Sequence, residues 1–295
     1  MDGVINFFKP RGMTSHDAVY FFRRLLKTKR IGHTGTLDPN ATGVLPICIG
    51  KATRISEYLL GVDKEYIGEL TLGVMTDTQD MDGRVINSSE VKVTKKEIEN
   101  TFSRFKGTIM QIPPMYSALK HEGKKLYELA REGKTIEREP RKSEIYSLEI
   151  LNNIDNKEII FYTKCSRGTY IRTLCDDIGS SLKTCGFMSF LIRTGVGPFK
   201  IEGALSMEYL SSINPDKIDD LIIPIDEAIK HFEEIIVPDS LYKKLINGVL
   251  LPVNMNINPE SQNIFRIYCL NKFIGVGKII EKENEKYLKM DKVLL

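Results

Sequence analysis

A chain of 295 residues has room for about two domains, and 42% apolar residues with 22 glycines place it among globular proteins, not disordered or collagen-like ones. A short, mostly apolar stretch, Val4 to Phe8, precedes Lys9, and no later run approaches the roughly 18 uncharged apolar residues of a membrane span, so a soluble, cytoplasmic protein is expected. The net charge of +3 names no partner by itself.

Its distribution says more. Residues 1 to 205 hold 31 Lys or Arg against 25 Asp or Glu, residues 206 to 235 hold 2 against 8, and residues 236 to 295 hold 9 against 6. Two mildly basic bodies flanking an acidic joint suit a polyanion such as RNA, and solvated lysine-rich faces give the same pattern. Cys48, Cys165, Cys175, Cys185 and Cys269 form no C-x-x-C pair, and His16, His33, His121 and His231 are scattered, which argues for reduced thiols and against a zinc site.

In chain order, Val4 to Phe8 reads as a buried strand ended by the turn Lys9-Pro10-Arg11-Gly12. Thr14 with Asp17 makes a capping-box start to a helix whose apolar face is Ala18, Phe22, Leu25 and Leu26, running into five cations between Arg23 and Arg30. Gly32 to Gly50 is a structured loop leading into the apolar segment Val44 to Ile49. Tyr66 to Gly73 alternates as a strand with Tyr66, Gly68, Leu70 and Leu72 on one face, and Asp82-Gly83 signals a hairpin turn. Helices are expected over 95 to 105 and 124 to 133, separated by Gln111-Ile112-Pro113-Pro114, within a basic stretch over about 106 to 142 that fits an RNA-gripping insertion or simply a solvated surface helix. A strand from Glu158 to Thr163 leads to a helix from Thr169 to Leu182. Pro215, Pro224 and Pro238 mark the acidic joint, about 206 to 235, and place a domain boundary near residue 235. Beyond it a helix over Val237 to Gly248 and strands over Phe265 to Cys269, Phe273 to Ile279 and Tyr287 to Met290 are expected, with Gly275 and Gly277 allowing a tight bend.

Familiar catalytic patterns fail. Gly50-Lys51 lacks the rest of a P-loop, Asp80-Met81-Asp82-Gly83 lacks the first and last ligands of a calcium loop, and neither a G-x-S-x-G elbow nor an H-E-x-x-H helix occurs. The unusual segment is Gly32 to Pro46. Its Asp38 stands between Leu37 and Pro39 with no basic neighbour, so an ionised form needs a cation from a distant segment; an Asp-Pro step is also an ordinary turn or helix cap.

The strings Phe8-Lys9-Pro10-Arg11-Gly12-Met13-Thr14-Ser15, Gly32-His33-Thr34-Gly35-Thr36-Leu37-Asp38-Pro39 and Cys165-Ser166-Arg167-Gly168-Thr169-Tyr170-Ile171-Arg172 resemble, in order, those of the tRNA pseudouridine-55 synthases, the TruB family. The similarity continues through Tyr66, the Thr76-Asp77-Thr78 region, Gln111 to Lys120 and Leu191 to Phe199, and covers most of residues 3 to 205. The resemblance implies an α+β pseudouridine synthase fold with a mixed, mainly antiparallel sheet over residues 1 to 235, and a small PUA-like, β-rich RNA-binding domain over 236 to 295. It implies a monomeric isomerase that moves the glycosidic bond of the tRNA T-arm uridine from N1 to C5 of uracil, with no nicotinamide, nucleotide, metal or guide RNA. By position, Asp38 corresponds to the family's nucleophile and Arg172 to the arginine that pairs with it. Tyr66 corresponds to the tyrosine that stacks on the base and moves a proton, Tyr170 and Leu191 to residues lining the uracil pocket, and His33 to the side chain that fills the space of the extruded nucleotide. Attack on uracil C6 and attack or elimination at ribose C1′ both start from the ionised carboxylate. Plainer roles are a surface pair of Arg172 with Asp176 on one helix, a core tyrosine at 66 and a loop histidine capping a backbone group. Gly186-Phe187 departs from the small residue and histidine of many relatives. Two rival functions remain: a non-catalytic tRNA-folding chaperone, and a guide-RNA-dependent relative.

Overall fold

A computed structural model describes residues 1–214, 217–253, 263–283 and 285–295; Pro215 of the acidic joint lies outside them. The chain opens with β1 (Gly3–Lys9) and α1 (Ser15–Leu25), whose Thr14 hydroxyl and Asp17 carboxylate satisfy each other's backbone N–H groups as a capping box. Next come β2 (Ile31–His33), β3 (Thr42–Ile49), the short α2 (Ser56–Leu60) and β4 (Lys64–Leu72), in which every second residue is buried. The hairpin β5 (Val74–Thr76) and β6 (Val85–Ser88) turns through Asp82-Gly83 and precedes α3 (Lys95–Arg104) and β7 (Gly107–Gln111). A small hairpin, β8 (Lys120–His121) and β9 (Lys124–Lys125), with α4 (Leu126–Arg131), fills the excursion before β10 (Arg141–Ile154) and β11 (Glu158–Cys165). The strands of the first sheet end with α5 (Ile171–Ser181), β12 (Gly186–Val196) and β13 (Phe199–Lys200).

Among the described residues these strands form a nine-stranded sheet in the order β1-β3-β12-β4-β11-β10-β7, with β2 on β3 and β13 on β12. Only the β3–β12 pair is parallel, so the sheet is mixed and mainly antiparallel. α5 lies against β12 through two glycines: a Cβ on Gly179 would stand 2.7 Å from the Gly186 nitrogen, so this close approach admits no side chain. The buried cluster of Ile5, Phe22, Leu45, Tyr66, Leu70, Phe161, Leu174 and Ile178 joins α1 and α5 to the sheet.

Several expected boundaries move. Gly107–Gln111 and Arg141–Lys142, placed in the insertion by their charge and flanks, pair with each other in the main sheet, which confines the excursion to residues 112–140. The helix expected over 124 to 133 is shorter because Lys124 and Lys125 are drawn into the hairpin with β8. α5 starts after Tyr170 instead of at Thr169, since Tyr170 is extended with ψ 109°.

The joint continues with α6 (Met207–Ser212) and α7 (Ile225–Ala228) and covers the free edge of β1: Val4 and Ile223 exchange N–H···O bonds of 2.8 and 2.9 Å, and Leu205 lies between Asn6 and Phe8 in the same way. A second sheet of order β14-β16-β17-β18-β15 follows, from β14 (Glu234–Ile236), α8 (Tyr242–Ile246), β15 (Leu251–Pro252), β16 (Ile264–Cys269), β17 (Lys272–Lys282) and β18 (Glu285–Val293). The single helix expected over Val237 to Gly248 is a 3-10 turn, Asp239–Leu241, followed by the short α8. Gly275 and Gly277 lie inside β17 beside register shifts in its pairings with β16 and β18, and a Cβ on Gly275 would meet the Lys292 carbonyl at 1.9 Å. This sheet docks on the first through Val276 and Leu294, which share a cluster with Val4, Ile55, Tyr58 and Phe232, and through the Arg54 Nη1 bond to the Val293 carbonyl at 2.6 Å. Tyr58 also donates to Asp291, and Lys292 pairs with Glu57. Among the described residues no helix is long and apolar enough to cross a membrane.

Candidate active site

The loop between β2 and β3 carries Asp38 and is fixed from several sides. The Ser15 hydroxyl at the start of α1 accepts from the Leu37 N–H at 2.8 Å and donates to its carbonyl at 3.1 Å. Lys9, the last residue of β1, turns its buried ammonium onto the carbonyls of Pro10, Met13 and Pro39 at 2.9, 2.6 and 3.2 Å, and Gly12 donates a fourth bond to Pro39 at 2.8 Å. Burial pushes the Lys9 ammonium down to about 8, against the pull of Asp38. What the sequence suggests is a simple turn is thus the clamp behind the aspartate, and a lysine ending an apolar run was the available signal.

Arg172, on the first turn of α5, supplies the distant cation that Asp38 requires. Its Nε lies 3.1 Å from Asp38 Oδ2 and its Nη2 donates to Asp38 Oδ1 at 3.4 Å. The remaining donors reach the carbonyls of Thr78 at 3.2 Å and Tyr116 at 2.9 Å and Asp80 Oδ2 at 3.5 Å. Asp176 is not its partner: that carboxylate accepts from Gln79 Nε2 at 2.9 Å. The guanidinium is almost completely buried, whereas 37% of the Asp38 side chain remains open. The pair is therefore aimed outward with its cation anchored inward. Burial pushes the Asp38 carboxyl above its usual value; Arg172 opposes this most strongly, Asp80 adds to the rise, and Lys9 and Arg193 oppose it further.

Asp80 is a residue the sequence reasoning missed, having weighed it only as part of a failed calcium loop. It accepts from the Thr78 hydroxyl at 2.5 Å and from the Asp82 N–H at 3.1 Å, which turns its second oxygen toward Arg172. Tyr66 is buried on β4 and its phenol is pushed up to about 12 by burial, with Arg193 acting against the rise. Leu191, Asp38, Asp80, Met81 and Phe190 line a cavity of about 20 Å³, room for about one water molecule. Phe187 is not part of that wall. A larger cavity of about 510 Å³ lies beyond α5 beside Gln79, Asp176 and Asp177 and does not include Asp38.

Tyr170 stands at the start of α5 with its backbone locked by Gln111, which accepts from Tyr170 N and donates to Tyr170 O, both at 3.1 Å. The structure thus pairs Asp38 with Arg172 and puts Leu191 in one cavity wall with Asp38, while Tyr66 and Tyr170 lie near enough to feel the Asp38 charge but do not line that cavity. His33 lies farther back, where its Nδ1 accepts from the Gly35 N–H at 3.2 Å, and burial lowers its pKa.

Two family models match the chain: the TruB family pseudouridylate synthase N-terminal domain over residues 23–171, and the tRNA pseudouridylate synthase B C-terminal domain over residues 172–230. The tRNA pseudouridine synthase B of Alkaliphilus oremlandii (strain OhILAs) is 45% identical over 298 residues, covering 100% of this chain and 99% of that protein. The Clostridium kluyveri protein of the same name is 46% identical over 279 residues, covering 94% of this chain and 95% of that one. Among solved structures, a chain of an H/ACA RNP bound to a substrate RNA containing 2′-deoxyuridine superposes with TM-score 0.76 at 26% identity, and one of a Cbf5-Nop10-Gar1 complex with 0.77 at 27%; each comparison covers 99% of this chain and 85% of the other. With an aspartate–arginine pair at the mouth of its sheet and this full-length similarity, the chain belongs to the TruB family of pseudouridylate synthases.

Proposed function

We propose that this protein isomerises the T-arm uridine of tRNA to pseudouridine, with Asp38 as the acting carboxylate. The observation that carries the reading is the Asp38–Arg172 pair: a partly open carboxyl, raised by burial and paired with a buried guanidinium that opposes the rise, in a chain 45% identical throughout to a tRNA pseudouridine synthase B. The guide-RNA alternative draws on structural neighbours of 26 and 27% identity, so the stand-alone tRNA reading is favoured.

In the reaction the C1′–N1 bond breaks, the uracil turns, C5 bonds to C1′, the C5 hydrogen leaves as a proton and N1 gains one. Atoms balance without any added reactant. Asp38 engages the nucleoside, Arg172 keeps it charged and aimed, and the Tyr66 ring supports the flipped base while Tyr170 and Leu191 border it. His33 fills space behind the extruded nucleotide. A purified T-arm stem-loop labelled with tritium at uridine C5 is expected to release label with no added nucleotide or metal, whereas an anticodon stem-loop releases none. Release from neither RNA overturns the proposal.

Tyr66→Phe keeps the ring and deletes the hydroxyl. Stacking worth about 1 to 3 kcal/mol per base survives, so RNA affinity stays near that of the parent. The single-turnover rate is expected to fall about 100-fold, in line with loss of general acid–base assistance. A parent-like rate removes the hydroxyl from the chemistry.

The sheet from Glu234 onward is proposed to be a PUA-like RNA-binding domain that holds tRNA away from the reacting base. Ending the chain before Glu234 uncovers the apolar surface beneath Val276 and Leu294 and is expected to lower Tm, yet the stem-loop still reacts because Asp38, Tyr66 and Arg172 remain. Full-length tRNA binds more weakly and with a shallower slope of log affinity against log salt, since fewer phosphates are neutralised. Equal slopes for the two proteins contradict an RNA-binding role.

A further inference from the structure

Arg193 on β12 is fully buried and, among the described residues, forms no ion pair. A buried guanidinium is costly unless its five donors are placed, and it has no acceptor. Here Nε donates to the Val44 carbonyl at 2.7 Å, Nη2 to Gly35 at 3.2 Å and Nη1 to Thr36 at 3.4 Å. The Tyr66 phenol stands beside the same guanidinium, whose charge acts against the burial-driven rise of the phenol's pKa. Tyr66 faces Arg193 directly in the β4–β12 register, and Gly43 of β3 faces it on the other side. A Cβ on Gly43 would lie 2.2 Å from the Arg193 carbonyl, so the strand is glycine where the arginine's backbone is approached. One side chain thus ties the loop two residues before Asp38, the strand after it, and the tyrosine across the sheet.

A guanidinium beside a phenol imposes a direction on it. Arginine only donates, so toward Arg193 the phenol can present only its oxygen, as an acceptor. A merely structural clip between loop and strand needs only the three carbonyl bonds.

Building on the role proposed for Tyr66, we infer that Arg193 is a positioning residue of the isomerisation: it sets the Tyr66 hydroxyl in register with the Asp38 loop, so that phenol and carboxylate meet the flipped base together. This predicts coupling between Arg193 and the hydroxyl, which a double-mutant cycle reads.

Arg193→Lys, Tyr66→Phe and the double variant are compared with the parent on the T-arm stem-loop, by single-turnover rate at saturating RNA and by RNA affinity. Arg193→Lys is expected to slow turnover about 30-fold with affinity changed less than about threefold; in the Tyr66→Phe background the same change costs less than about threefold, because its target is already gone. If the lysine variant fails to fold, Arg193→Gln takes its place in the cycle. Full multiplication of the two losses, or a loss of affinity as large as the loss of rate, overturns the inference and leaves Arg193 a structural clip. Parent-like turnover by Tyr66→Phe alone removes both roles, while a parent protein that makes no product speaks only against the proposed function.

Discussion

Asp38→Asn is expected to lower the single-turnover rate of pseudouridine formation by about 10⁴-fold or more, with RNA affinity changed less than about threefold. The amide has the carboxylate's shape but neither its charge nor its nucleophilicity. Binding is spread over phosphate contacts elsewhere, so it survives. The same variant has a stability signature. Because burial raises the Asp38 carboxyl, the folded protein holds that proton more tightly than the unfolded chain does. Its contribution to stability is full below the unfolded value and is lost as pH rises through the folded one. At neutral pH, above the unfolded value, this carboxyl therefore weakens the fold, and Asp38→Asn raises Tm, a gain that shrinks in acid. The acid limb of the parent's kcat/KM profile lies above the ordinary carboxylate range for the same reason. Thermal unfolding at neutral and acidic pH, beside tritium release, checks all three; a lower Tm at neutral pH contradicts the electrostatic account of the site.

Arg172→Met removes the cation from two carboxylates at once. Asp80 is nearly buried and Asp38 partly open, so the loss belongs at the lower end of the range for breaking a buried pair, about 3 kcal/mol. Tm is expected to fall by about 6 to 12 °C. Turnover falls about 10³-fold or more, because Asp38 loses both its charge partner and its aim. Adding Asp38→Asn to Arg172→Met restores part of the lost Tm, since one unpaired charge disappears. Arg172→Lys restores charge without the fork, and so returns stability more fully than rate. A normal Tm for Arg172→Met shows that the pair is solvated and not structural.

The parts of the fold written in short-range chemistry were legible. Thr14 and Asp17 announce α1, and the alternation from Tyr66 to Leu72 announces β4 and its buried face. β10 escaped because Arg141 and Lys142 look like the end of a basic excursion, and only pairing with β7, thirty residues earlier in the chain, makes them a strand. Gly275 and Gly277 were legible as points where a strand can deform, but the close approach of Lys292 was not, because a glycine that admits a neighbouring strand is locally indistinguishable from one that permits a bend. In the site, Asp38 and Arg172 were legible through their strings, while Asp80, Lys9 and Arg193 were not. Each gains its role from partners distant in sequence: Asp80 from Arg172, Lys9 from Pro39, and Arg193 from Tyr66 and Gly35. A buried cation whose partners are carbonyls leaves no pattern of opposite charges to find.

The most direct test maps pseudouridine, position by position, in a full-length tRNA transcript treated with the parent protein and with Asp38→Asn, using no guide RNA and no added cofactor. The account predicts one pseudouridine, in the T arm, with the parent, and none with Asp38→Asn although the variant still binds the transcript. A product outside the T arm, or equal conversion by Asp38→Asn, contradicts it.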